Sequence, residues 1–456
     1  MKPGRLCRRS VSAIRVACQR NGAGTVRARA YTAAVLDRET AQSVGGSRPN
    51  GPSAWTPQRA SWSWRGVLGG WGLLCAILIA LQVFQARSFR KGSPYIASYW
   101  HVDYSVGFVR RGMAGALLDL AGATPAHQQV AVLLTGVLPT LAAVVLVIAL
   151  LGRRGWSTTA LAVLLSASPW AFDEWLTFLR PDQFATVVLI AVALLMVRRR
   201  LPWVGLAACG AAFAFVTLMH EGAWLYNATF AVPLVLLARS EPVRPRLGAA
   251  LLVAGPGFVT LVVSTVFGAV GPEAAQALID RATSLGLASG PLGPRTSTLV
   301  WLPGGLQQAV SAVGATPIGL YRSALVLGAI LLGLQVAWFM LARIRHGLAR
   351  RPQPAWLVVA VLVFLAVAVG VTYATGFDWQ RWNAVFGVAA LVVVAGWLLG
   401  SPPVPRDVRP GNLVTAVLVV VACWLALAGP IAELGPVGLE VSWWGSGLVW
   451  LRGLVG

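Results

Sequence analysis

Apolar runs dominate this chain. About eleven of them recur along it, most of roughly 17–25 residues, the length that carries a helix across about 30 Å of hydrocarbon. Composition agrees: 57% of residues are hydrophobic and 11% charged, against about 25% charged in a soluble globular protein. Such a chain folds as an all-α, polytopic transmembrane helical bundle rather than as two or three soluble domains. The spans read as 67–86, 129–151, 157–172, 183–197, 203–219, 223–238, 247–268, 319–342, 355–374, 384–400 and 412–428.

The charge pattern orients the bundle. The formal net charge is +22, but it sits in short clusters between apolar runs: Arg153-Arg154, Arg198-Arg199-Arg200, Arg239/Arg244/Arg246 and Arg343/Arg345/Arg350/Arg351. Spread in this way it marks cytoplasmic connections and anionic-lipid contacts, not a nucleic-acid surface. The expectation is an N-terminus inside, a C-terminus outside, and residence in a bacterial cytoplasmic (inner) membrane. Tryptophans at both rims, such as Trp64, Trp203 and Trp356 inside and Trp170, Trp224 and Trp382 outside, fit aromatic belts. Residues 1–65 read as a basic, disordered cytoplasmic extension, 66–430 as the membrane domain, and 431–456 as a short outer tail. Two outer segments are long, 87–128 and 269–318. The second holds a short helix candidate followed by Gly/Pro turns, and reads as a lid or re-entrant segment.

Of fifteen Asp and Glu, only Asp37, Glu39, Glu241 and Asp407 fall inside under this topology. The outer ones gather in "HVDYSVGFVRRG", "FDEWLTFLRPDQF", "MHEGAW" and "GFDWQRW", each with a cation or a histidine. These supply the candidate site: Asp103 with Arg110 and Arg111; Asp173, Glu174 and Asp182 with Arg180; Glu221 with His220; and Asp378 with Arg381. An ionisable group at membrane depth costs at least about 2.5 kcal/mol on insertion scales, so four mixed-charge clusters at one level suggest a polar cavity open to the outer side. Interfacial placement with internal salt bridges is the plainer alternative for any single cluster.

The first outer segment, "YWHVDYSVGFVRRGMAGALLDL", predicts an interfacial helix from Val106. Its apolar stripe would be Val109, Met113, Ala116, Leu117 and Leu120, with Arg111 opposite and Arg110 at the edge. Asp103, just before it, either caps that helix or projects into the cavity. A carboxylate base beside several arginines suits transfer from a lipid-linked phosphosugar: the base deprotonates an acceptor hydroxyl while cations hold the departing phosphate.

On these residues the layout resembles polytopic GT-C glycosyltransferases that use polyprenyl-phosphate-linked donors. The likeness rests on an N-in first span, the acidic "WHVDY", the helix "VGFVRRGMAGALLDL" and "LRPDQFATVVLIAVALL". Many such enzymes carry two adjacent acidic residues in the first loop; this chain has Asp103 alone. The resemblance implies Asp103 as catalytic base, Arg110, Arg111, Arg180 and Arg381 as phosphate ligands, and His220 and Glu221 as acceptor contacts. It implies partners that are membrane lipids, a lipid-linked sugar donor and a glycan or lipid acceptor, with no nucleic acid. The rivals are a transporter or flippase, a polymerase or ligase of cell-envelope glycans, and a non-catalytic assembly protein. No cofactor is called for. His101, His127, His220 and His346 lack ligand spacing and the five cysteines show no pairing, so no metal site is expected; a divalent ion between carboxylates and phosphate is compatible but unindicated.

Overall fold

The computed structural model describes residues 97–154, 179–198, 201–238, 241–287, 354–375 and 379–400, with Leu299, Leu302, Pro303, Ser311, 432–435 and 438–441. Nine helices are assigned among them: α1 (Gly112–Leu120), α2 (Pro125–Arg154), α3 (Phe184–Leu195), α4 (Trp203–Met219), α5 (Thr229–Ala238), α6 (Val243–Phe267), α7 (Pro272–Ser284), α8 (Ala355–Thr375) and α9 (Trp379–Gly400). Three are long and apolar enough to cross a membrane, over Pro125–Leu150, Val243–Phe267 and Trp356–Ala374; α3, α4, α5 and α9 contain shorter apolar stretches. Seven of the eleven expected spans therefore coincide with helices. The spans at 67–86, 157–172, 319–342 and 412–428, and the extension 1–65, lie outside the described residues.

The described residues are helical as expected, with one short hairpin besides. Ala432–Gly435 (β1) and Gly438–Val441 (β2) pair antiparallel, with Gly435 opposite Gly438. The sequence at the join, "GPVG" over residues 435–438, is turn chemistry set between short strand-forming pieces.

Apolar side chains divide by what they face. Leu134, Leu138, Leu141, Val145 and Ile148 recur at three- and four-residue steps on one side of α2 and are exposed, as are Leu251, Val259 and Val266 on α6 and Val359, Val363 and Val367 on α8. In a soluble protein such stripes would be a liability; in a membrane protein they suit a lipid-facing surface. The interior is built by α3, α4, α5, α6 and α9 around Leu189, Phe213, Phe230, Leu234 and Val385. Lipid tails are as apolar as leucine, so helices in a bilayer associate by close packing and not by escape from water. The pairing of α4 with α6 shows the consequence: a Cβ on Gly210 would stand 2.1 Å from the Leu252 carbonyl oxygen.

Alternating helices bring particular ends together. The start of α2, the start of α3, the end of α4, the start of α5, the end of α6 and the start of α9 share one pole. The opposite pole carries Arg198 and Arg244, both exposed, and Arg246, whose buried guanidinium donates to the Leu236 carbonyl at the end of α5. That bond satisfies an orphan carbonyl at a helix C-terminus.

Gly210→Ala should lower stability by about 1–3 kcal/mol, the usual range for overpacking. Gly255→Ala on α6, where a Cβ would meet nothing within 4 Å, should be neutral or stabilising. Thermal unfolding in detergent, followed by tryptophan fluorescence, checks the pair; equal effects would contradict the close α4–α6 contact.

Candidate functional site

Residues 97–111 form a strap across the shared pole, and they are not the expected helix. Ser98–Trp100 make one 3-10 turn, turns then close from Tyr104 to Gly107 and from Val109 to Gly112, and α1 begins only at Gly112. Arg111 stands at its N-cap in the left-handed region (φ 67°) with no side-chain cap. A non-glycine residue there is uncommon and needs surrounding contacts to hold it. Of the expected stripe, Val109 is buried but lies in the strap, Met113 and Leu117 are half-buried against the core, and Leu120 is 86% exposed. The buried face of α1 is Gly112, Ala114, Gly115 and Leu118. The cause is the strap itself, which lies on α1: the Gly115 N–H donates to the Val102 carbonyl at 3.0 Å, and a Cβ on Gly115 would fall 2.3 Å from that oxygen.

Two ion-pair systems use this strap. In the first, Arg111 grips Glu221 with two parallel bonds, Nε to Oε2 at 2.7 Å and Nη2 to Oε1. Glu221 lies in the tight connection between α4 and the π-helical turn Trp224–Ala228 that leads into α5. The Tyr99 ring, 2% exposed, is flanked by the Arg111 guanidinium at 5.7 Å, the Arg180 guanidinium at 5.2 Å and the His220 ring at 5.3 Å. Aromatic faces attract guanidinium groups at such distances. Arg180 is held there because Pro181 follows it, which disfavours helical backbone before the 3-10 turn Pro181–Gln183. Arg110 joins from the same strap: its backbone N–H donates to the Gly268 carbonyl at 2.9 Å and its Nη2 to the Leu302 carbonyl at 3.1 Å.

In the second system Asp103 points the other way. Its Oδ1 accepts the Ser105 N–H at 2.7 Å and its Oδ2 accepts the Nε–H of Arg281, on α7, at 2.7 Å. The same guanidinium reaches Asp119 of α1 through Nη2 at 2.8 Å. Asp103 therefore does not cap a helix, and it is 4% exposed.

Electrostatics at the pole follow from burial and from these cations. Burial lowers His101 to about 4, against an opposing contribution from the Leu287 backbone. His220 is lowered to about 3 by burial first, then by Arg111, with Arg180 and Arg110 adding and Glu221 opposing. Both histidines are neutral in the fold, and their bonds agree: His220 Nδ1 accepts the Gly222 N–H at 3.0 Å, and His101 Nε2 lies 2.7 Å from the Gln128 amide nitrogen. Burial works to raise the Glu221 carboxyl, but the charge and hydrogen bonds of Arg111 outweigh it. With His220 and Arg110 assisting, they hold Glu221 well below the usual carboxylate range.

The expected site is thus partly assembled. Arg110, Arg111, Arg180, His220 and Glu221 come together, and Asp182 lies buried beside Arg180 in the turn before α3. Asp103 belongs to the second system. Asp173, Glu174 and Asp378 lie outside the described residues; Arg381 is in the first turn of α9, next to Trp382, whose ring lies 6.1 Å from that of Tyr226. Among the described residues no group of three or more His, Cys, Asp or Glu is placed to hold a metal ion. Sequence reasoning missed Arg281 and Tyr99. Arg281 carried no usable signal: positions 277, 278, 284 and 285 of its own segment hold no carboxylate, and an arginine at a surface needs none.

Fold and site together define a helical integral membrane protein with a charged cluster at one pole. Residues 70–287 match a family described as "Uncharacterised membrane protein Rv1490". The chain is similar to the uncharacterized protein Rv1490 of Mycobacterium tuberculosis, 30% identical over 178 residues, which are 37% of this chain and 41% of that protein. The same figures hold for the uncharacterized protein Mb1527 of Mycobacterium bovis. The chain spans about two fifths of the length of the curated relatives it matches. No solved structure matches. The stretch shared with the family contains both ion-pair systems, from Tyr99 through Arg281.

Both neutral histidines make stability depend on pH. Their folded values lie below the ordinary one of about 6.5, so the unfolded chain takes up protons first as pH falls. Stability should decline from about pH 6.5 towards pH 4, by up to about 1.4 kcal/mol per pH unit for each histidine. Glu221 behaves differently: its contribution is full above the ordinary carboxylate value and is lost only at lower pH. His220→Gln should flatten the slope between pH 6.5 and 4 in denaturant or thermal unfolding; an unchanged slope would contradict burial of the neutral ring.

Proposed function

We propose that this protein binds the phosphate-bearing head group of a polyprenyl-linked sugar at the Arg110–Arg111–Arg180 cluster, on the extracytoplasmic side, and transfers the sugar to a glycan or lipid acceptor. The observation that carries this reading is the convergence of three guanidiniums, from the strap and from the start of α3, around Tyr99 and His220 at a helix-bundle pole. Bidentate guanidinium contacts suit phosphate geometry, and a lipid tail can reach such a pole from the bilayer side. Arg111 is already in fork geometry with Glu221, so a phosphate can exchange for that carboxylate.

The orientation rests on the charge rule, which puts the Arg198/Arg244 pole in the cytoplasm. In the transfer itself a glycosidic C–O bond forms at the anomeric carbon and the anomeric bond to phosphate breaks. The electron pair leaves with the phosphate, which the arginines stabilise. The acceptor proton goes to a base, and Asp103 fills that role in this scheme. A second reading has one specific support: Asp103 is buried and ion-paired, as suits a flippase or a non-catalytic lipid-binding protein that uses only the arginine cluster.

Undecaprenyl phosphate added to the protein in nanodiscs should bind the wild type, and Arg111→Gln with Arg180→Gln should weaken binding at least tenfold. Asp103→Asn should keep binding yet fail to restore a glycan-deficient deletion strain. Full rescue by Asp103→Asn alongside failure of the arginine variants would favour the non-catalytic reading. Unaltered binding by the arginine variants would end the proposal.

A further inference from the structure

An acid–base residue must touch its substrate, yet Asp103 is 4% exposed and lies beneath another element. That element is α7. Pro272 at its first position and Glu273 in its first turn favour its start, and a bond from the Leu287 N–H back to the Ala282 carbonyl, with Gly286 at φ 68°, closes its end. Its inner face, Ala275, Leu278 and Ala282, is narrow. Leu278 packs with Leu299 and Leu302 against Val102 and Val109 of the strap. Among the described residues the salt bridges of α7 run through one side chain: Arg281, 38% exposed, bridges Asp103 at 6% exposure and Asp119 at 31%. The Leu287 backbone, just past the helix end, also interacts with His101 of the strap.

We propose that Arg281 is the positioning residue for Asp103, and that α7 is a cap whose ion-pair fastening is this guanidinium, which must release before Asp103 can meet an acceptor hydroxyl. The inference rests on the transferase reading for its purpose, but not for its mechanics. Three features carry it. The carboxylate oxygen that would take the proton, Oδ2, is turned to Arg281, while Oδ1 is fixed by the strap's own Ser105 N–H. The bridge joins elements far apart in sequence, so breaking it uncouples the second outer segment from the first. Its cation is also the most solvent-exposed member of the trio, open to competition from an incoming phosphate. Arginine suits the task because its planar fork serves two carboxylates at once, which a lysine ammonium does with less directionality.

The test is hydrogen–deuterium exchange on the full chain in nanodiscs, read at peptides covering 101–107 and 272–287. Asp119→Asn, which leaves Asp103 untouched, and Arg281→Gln should each speed exchange in both peptides at least fivefold. Peptides from α3 and α4 should not change, and Arg281→Lys should recover part of the protection. Adding undecaprenyl phosphate to the wild type should likewise speed exchange over 272–287. Unchanged exchange in both Asp119→Asn and Arg281→Gln overturns the cap. Slow exchange that persists with the lipid, despite lipid binding, overturns release by substrate. Absence of any lipid binding counts against the transferase reading alone, because the variant arm still decides the fastening.

Discussion

A charge carried to the edge of a bilayer must find a partner or a ligand, and this requirement organises the whole pole. Burying a lone guanidinium or carboxylate costs several kcal/mol, which no single helix contact can offset. The chain meets it with one short strap that carries charges of both signs. On the bundle side, Arg111 closes on Glu221 at the α4–α5 connection. On its other side, Asp103 closes on Arg281 of α7. Each pair spans more than a hundred residues of sequence, so the two pairs fix how residues 97–111, the bundle and α7 meet.

The backbone geometry of the strap follows from serving two sides. A continuous helix from Val106 would carry Arg110 and Arg111 round a cylinder at fixed steps. The left-handed backbone at Arg111 instead turns its side chain down to Glu221, while the N–H of Arg110 faces Gly268. Tyr99 supplies a flat surface that shares the charge of two guanidiniums without neutralising it. The third arginine, Arg110, is held instead by the Gly268 and Leu302 carbonyls.

Much of this was legible in the sequence, in proportion to how local the signal was. Helix positions along 183–268 follow from apolar length and from turn chemistry, and the helices lie where the hydropathy put them. "MHEGAW" gave away His220 and Glu221 because a two-span hairpin leaves almost no connection there. The helical face of 106–120 was misread, because alternating Gly and apolar residues satisfy a helical stripe equally well when the chain is broken by turns. The Arg281 bridge was out of reach because its partners lie 178 and 162 positions away, and periodicity says nothing about contacts at that separation. Asp103 and Arg111 stand on one strap eight positions apart and pair with different neighbours, Arg281 and Glu221, which their spacing could not show.

The central claim is that the arginine pole is where a lipid-linked phosphate is held. Photo-crosslinking with a diazirine-bearing polyprenyl phosphate, mapped by mass spectrometry on the full chain in native-like membranes, tests it most directly. The account predicts adducts concentrated in residues 97–111, 179–186 and 219–224, competed away by unlabelled undecaprenyl phosphate. Adducts spread over the lipid-facing stripes of α6 and α8, or gathered near Arg198 and Arg244 at the other pole, would contradict it.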